Sequence, residues 1–280
     1  MRRAPLETPP PQLMPRGTRY AKRGHTLHAE WTKARTAGGT FWLLLGVIVA
    51  TVTLSAVVSA ATKCSSAACG QDPAKVSLAG LYLGQAVVAI TAVLAIGGEY
   101  GTGMILATLT AVPRRITMLA AKAAILTGSL LVTATIAVLG SVLAGRLLLP
   151  GNGFTAAHGY QFLSLADGPY LRAAVGSVLY LVLIGLLALG IATAIRDSAV
   201  AVGVVLGLLY LFPVLEAAVS SPGWHRHLEQ ISPMTAGLAV QATTSLASSP
   251  ISPWAGLGVL AIWAAGAMLV GALVLRLRDA

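Results

Sequence analysis

A chain of 280 residues with 56% hydrophobic and 10% charged residues, a mean hydropathy of +0.80 and a formal charge of +10 cannot cover the surface of a water-soluble globule, because an ordinary soluble domain carries about 25% charged residues. It belongs in a bilayer. With two cysteines and no Cys/His cluster at metal-ligand spacing, it is neither a disulfide scaffold nor a zinc module.

Residues 1–17 hold five prolines and little that could pack, which predicts a disordered tail. Residues 18–40 form a basic arm that contains Ala29-Glu30-Trp31-Thr32-Lys33-Ala34-Arg35-Thr36. In helical phase Leu27, Trp31 and Ala34 share one stripe, flanked by Lys33 and Arg35, which suits an elbow helix lying in the membrane interface. A solvated basic arm is the alternative. So long a basic region ahead of the first apolar run argues against a cleaved secretory signal.

A membrane span needs about 20 predominantly apolar residues. Charge-free stretches run over 36–62, 76–98, 123–145, 173–195, 198–215 and 230–275. The last is interrupted by Ser232-Pro233 and by Ser248-Ser249-Pro250-Ile251-Ser252-Pro253, which leaves 254–275 as its continuous apolar helix. A further stretch, 147–166, contains Pro150-Gly151-Asn152-Gly153 and His158-Gly159; these would leave backbone groups unpaired in lipid, so it is expected to be a loop. The fold expected is therefore an all-α polytopic membrane protein. Its six-helix transmembrane domain occupies 41–280, with spans at about 41–61, 77–98, 122–145, 172–195, 198–218 and 254–275.

Orientation follows from the connecting segments. With the N-terminus inside, fourteen of the nineteen Lys and Arg residues are cytoplasmic, including Arg114, Arg115, Lys122, Arg196 and Arg276. Five are outside: Lys63, Lys75, Arg146, Arg172 and Arg226. This predicts a protein of the plasma membrane with both termini cytoplasmic. It also makes the basic balance a topology signal and a contact with lipid headgroups, not a sign of nucleic-acid binding.

Ion-coupled carriers and intramembrane enzymes need ionisable groups within the spans, and the charge-free stretches hold none. No GxxxxGK[ST] phosphate loop occurs, so if ATP is used another chain must bind it. Catalytic residues, a cofactor and a resident metal are not expected here. His225-Arg226-His227 with Glu229 offers two imidazoles one residue apart, an incomplete metal site and otherwise a hydrated outer loop. Cys64 and Cys69 lie in the first outer loop, where either a disulfide or two free thiols is possible. The pairs Gly80/Gly84 and Gly203/Gly207 hint at close packing of the second and fifth spans.

The segment after the second span reads Glu99-Tyr100-Gly101-Thr102-Gly103-Met104-Ile105-Leu106-Ala107-Thr108-Leu109-Thr110-Ala111-Val112-Pro113-Arg114-Arg115. An acid at the helix end is followed by glycines that permit a turn, a short amphipathic stretch, a proline break and two arginines at headgroup level. These features suit a short helix lying on the cytoplasmic face; a plain interfacial turn with basic anchors is the alternative.

This segment, continuing to Leu119, Ala121 and Lys122, resembles the loop between the second and third helices in permease subunits of ATP-binding-cassette (ABC) exporters, the six-helix drug, lipid and polysaccharide class. It departs from them at Leu106, where an arginine is usual. Residues 29–36 resemble the segment that precedes the first helix of that family, with Ala34 in place of a leucine, and Ile231-Ser232-Pro233-Met234-Thr235-Ala236-Gly237 is a weaker third match.

The resemblance implies a cytoplasmic coupling helix seated in an ATPase cleft, with Glu99, Tyr100, Gly103, Met104, Ile105, Thr108, Pro113, Arg114 and Arg115 as its coupling residues. It implies an elbow helix carrying Glu30, Trp31, Lys33 and Arg35, and short re-entrant outer helices before the sixth span. It further implies two copies of a separate ATPase subunit that bind ATP and Mg, a second permease subunit, identical or homologous, and a path lined mainly by the first, second and fifth helices. Short outer loops and spans rich in Ala, Val and Leu favour an amphipathic small molecule or lipid-like cargo. A membrane sensing or immunity component, or a stand-alone ion-independent carrier, are the competing expectations.

Overall fold

The computed structural model describes residues 38–64, 70–101, 115–156, 160, 164, 166–219, 221–244, 246 and 249–277, without the side chains of 38, 98–101, 115 and 222. Among the described residues the chain is helical and has no strand. The long helices are α1 (Gly38–Ala61), α3 (Leu81–Gly101), α4 (Arg115–Leu148), α5 (Gly168–Ile195), α6 (Ser198–Ala218) and α9 (Pro253–Leu277). Short helices intervene: α2 (Pro73–Ser77), α7 (Pro222–Ile231) and α8 (Pro233–Leu238). Five of the long helices, all but α3, are long and apolar enough to cross a membrane, and the apolar part of α3 is the shorter Leu81–Gly97. The chain is thus built as a multi-pass membrane protein.

Helix boundaries have local causes. The Asp72 side chain caps α2 ahead of Pro73, and Leu78 to Gly80 form a turn before α3 begins at Leu81. The expected second span, 77–98, therefore starts inside that turn. The third is longer than expected, because α4 runs from Arg115 with Lys122 about two turns inside it. Between α5 and α6 stand only Arg196, in left-handed conformation with φ 63°, and Asp197, whose carboxylate accepts from the Val200 N–H at 2.8 Å. The sequence from Pro150 to Asn152 makes one 3₁₀ turn, as a loop residue set should.

Packing centres on α5. Of its most apolar 18-residue window 61% is buried, against 17–33% for the other four spans. Lipid tails are as apolar as leucine, so helix association here relies on close contact and polar links more than on water exclusion. A close backbone approach joins α5 to α9: a Cβ on Gly190 would lie 2.5 Å from the Ala267 carbonyl carbon, and one on Gly271 2.7 Å from the Gly190 oxygen. The two helices run parallel. Gly80 meets α1 as tightly, where a Cβ would fall 1.8 Å from the Thr51 oxygen, and Gly84 faces the Thr51 side chain. Gly203 and Gly207 of α6 do not pack at all, since a Cβ on either would meet nothing within 4 Å. The expected tight packing holds for the first pair and fails for the second, which lies on the outward side of α6.

Cross-bundle contacts fix which ends lie together. Lys122 of α4 donates to the Ala95 carbonyl of α3 at 3.4 Å, and Gly97 of α3 lies against Ser198 of α6. Gly271 beside Thr193 brings the end of α9 to the end of α5. One end of the bundle therefore gathers the start of α1, the end of α3, the start of α4, the Arg196 turn and the end of α9. At the opposite end Asn152 donates to the Ser59 and Ala60 carbonyls of α1 at 3.0 and 3.2 Å, alongside α2, α7 and α8. Of these, α7 and α8 lie in the segment that precedes the last long helix.

Candidate functional site

The expected coupling residues fall at the Arg196 end. Glu99 and Tyr100 lie in the last turn of α3 and Arg115 opens α4, so both helices that the segment joins end at one place. Gly103, Met104, Ile105, Thr108, Pro113 and Arg114 lie outside the described residues, as do Glu30, Trp31, Lys33 and Arg35 of the elbow and the whole 1–17 tail. Lys122, 7% exposed, is placed where its ammonium reaches the carbonyl side of α3 near that helix's C-terminus, the end favoured by a cation.

Cys64 is disulfide-bonded, and the chain's other cysteine, Cys69, lies outside the described residues. The Cys64 N–H donates to the Asn152 carbonyl at 2.8 Å, and the Tyr160 hydroxyl stands 4.0 Å from its sulfur. Phe154 and Tyr160 stack at 5.0 Å beside it. His225 of α7 faces Glu229 at 3.6 Å; among the described residues no group of three His, Cys, Asp or Glu gathers around a common point.

What the sequence did not single out is a polar cluster buried toward the far end of the bundle. Tyr180 of α5 and Gln85 of α3, both fully buried, are joined by a hydrogen bond from the phenol to the amide oxygen. The amide nitrogen of Gln85 donates to the Met234 sulfur of α8 at 3.2 Å. Tyr210 of α6 donates to the Tyr82 carbonyl of α3. Glu216, on the last turn of α6 and only 7% exposed, accepts from the Thr235 hydroxyl of α8 at 2.8 Å. Next to this cluster, Gln241 donates to Ser177 at 3.2 Å. The segment after α8 is held from both sides: Asp72 accepts from the Thr243 N–H and hydroxyl, each at 2.6 Å, and from the Thr244 N–H at 3.1 Å, and Arg172 donates to the Ala242 carbonyl at 2.5 Å.

These links make α8 a plug of the bundle. Met234, Ala236, Gly237 and Leu238 are buried, the Tyr180 ring packs over Gly237, and α7, amphipathic and more exposed, covers it from outside. Trp263 of α9 closes the arrangement with a hydrogen bond to the Ile231 carbonyl at 3.0 Å. Gln85 lies within the charge-free stretch 76–98. Glu216 carried one signal: it directly follows the charge-free stretch 198–215, within the length of a single span. Compared with known proteins, the chain matches no family model and no curated protein.

Proposed function

We propose that the chain is the membrane-spanning permease subunit of an ABC exporter, which moves an amphipathic small molecule or lipid-like substrate out of the cell with ATP hydrolysed by a separate subunit. The observation that carries this is the shared position of two helix ends. The Glu99–Lys122 segment, which bears the family resemblance, leaves α3 and enters α4 at the end of the bundle that also holds the Arg196 turn, the start of α1 and the end of α9. By the count of Lys and Arg that end is cytoplasmic.

In this assignment α3, whose apolar part is Leu81–Gly97, is the sixth span, and the chain sits in the plasma membrane with both termini inside. The coupling helix belongs to the segment that joins α3 to α4, around Met104 to Val112. Glu99, Tyr100, Gly103, Met104, Ile105, Thr108, Pro113, Arg114 and Arg115 pass nucleotide-driven closure of the ATPase to α3 and α4 as a lever. Glu30, Trp31, Lys33 and Arg35 belong to an elbow helix in the headgroup layer. Two ATPase copies bind ATP and Mg, and a second permease subunit, identical or homologous, completes the path. The chain itself performs no catalysis.

The test is co-purification with the ATPase subunit and measurement of cargo-stimulated ATP hydrolysis. Glu99→Lys, and the double change Arg114→Ala with Arg115→Ala, should cut stimulation at least tenfold while the complex still assembles in the membrane. Unchanged coupling in both variants removes these residues from the mechanism, and transport by the purified chain without any ATPase overturns the assignment.

A further inference from the structure

The Glu216 carboxylate is the chemically least expected group in the bundle. It lies about 27 Å along α6 from Ser198, near the outer limit of a hydrocarbon core about 30 Å thick, and is 7% exposed. Burying an ionised carboxylate costs several kcal/mol unless a cation and hydrogen bonds offset it. One hydrogen bond is present, from Thr235. Among the described residues no lysine or arginine pairs with it. The titratable groups in electrostatic reach are Glu229 and His225 of α7 and Tyr82 of α3. Glu229 is of like charge, and His225, whose charge favours an ionised Glu216, is shared with Glu229 at 3.6 Å.

The surroundings add to the demand for a cation. Pro213, one turn before Glu216, lies inside the unbroken helix α6 and removes the N–H that would pair with the Leu209 carbonyl. Tyr210 donates its hydroxyl to the Tyr82 carbonyl, and the Tyr82 phenol is in electrostatic reach of Glu216; aromatic faces attract cations with apolar bodies. Tyr82 is 48% exposed, so the ring in reach of the carboxylate is itself open to the membrane.

We propose that Glu216, with Thr235 and the ring of Tyr82, forms a binding site for amphipathic organic cations at the outer end of the bundle, the carboxylate pairing with the positive centre. This names the chemistry of the cargo and rests on the exporter assignment for its purpose, though binding itself requires no ATPase.

The experiment uses the full chain in lipid nanodiscs without ATPase and measures binding of tetraphenylphosphonium by equilibrium dialysis. Wild type should bind it saturably. Glu216→Gln, which keeps the acceptor for Thr235 and removes the charge, should weaken binding at least tenfold with an unchanged thermal unfolding profile. Tyr82→Phe, which keeps the ring, should bind within twofold of wild type, whereas Tyr82→Leu should bind at least threefold more weakly. Absence of saturable binding to wild type, or equal affinity in the Glu216→Gln protein, overturns the site. Sodium or calcium competing at millimolar concentration as well as the organic cation does would overturn its organic specificity. Co-purification with the ATPase is independent of these outcomes, so a failed cation site and a failed exporter assignment are told apart.

Discussion

The Tyr180 phenol donates its hydrogen to the Gln85 amide oxygen, and neither residue has any exposed surface. The bond links α5 to α3, and the same amide passes the link on to Met234 of α8. In a bilayer such links are worth about 0.6 kcal/mol on average and up to about 1.7, while a buried polar group left unpaired costs about 1–3 kcal/mol. Tyr180→Phe should therefore destabilise the bundle by about 1–2 kcal/mol, because the Gln85 oxygen loses its donor. Adding Gln85→Leu to Tyr180→Phe should cost less than the two single changes summed. Unfolding of the four proteins in mixed micelles checks this, and strict additivity would mean that the bond contributes nothing.

Gly80 and Gly203 carry opposite expectations. A Cβ at Gly80 falls on the Thr51 carbonyl, whereas one at Gly203 meets open space. Gly80→Ala should force α1 and α3 apart and cost about 1–3 kcal/mol. Gly203→Ala should be neutral or stabilise by up to about 1 kcal/mol, since alanine is the better helix former. Thermal melts of both variants in detergent compare them directly; equal losses would contradict the packing of α3 on α1.

Asp72 caps α2 and also holds Thr243 and Thr244, residues far along the chain. Asp72→Ala removes a helix cap and leaves the half-buried Thr243 donors without their acceptor, an effect of about 1–2 kcal/mol. It should be felt in the segment that follows α8. Limited proteolysis in nanodiscs should show faster cleavage between α8 and α9 in Asp72→Ala, with the cleavage pattern between α5 and α6 unchanged.

Much of the bundle was legible because a charge in lipid is costly and so marks where a helix ends. Arg196 and Asp197, the two charges between the fourth and fifth apolar runs, are the two residues of the turn between α5 and α6. The beginning of α3 was not legible. Leu78-Ala79-Gly80 is as apolar as a span, and what breaks the helix is the Asp72 cap and the close approach to α1. Equal spacing of Gly80/Gly84 and Gly203/Gly207 also carried no information about which pair meets a neighbour, because that depends on how each helix is rotated in the bundle. The buried cluster was hidden for a related reason. Gln85 meets Tyr180 and Met234 across 95 and 149 residues of sequence, and Glu216 finds Thr235 on another helix. Local pattern shows which groups are polar, and only the tertiary arrangement shows which are enclosed.

The backbone contact of Gly190 with α9 and of Gly271 with α5 has a mechanical consequence. Two rods without side chains between them at their point of contact have no cushion to deform, so they shift as one piece or not at all. Any conformational cycle of this subunit then carries that pair as one unit, and the remaining helices move relative to it.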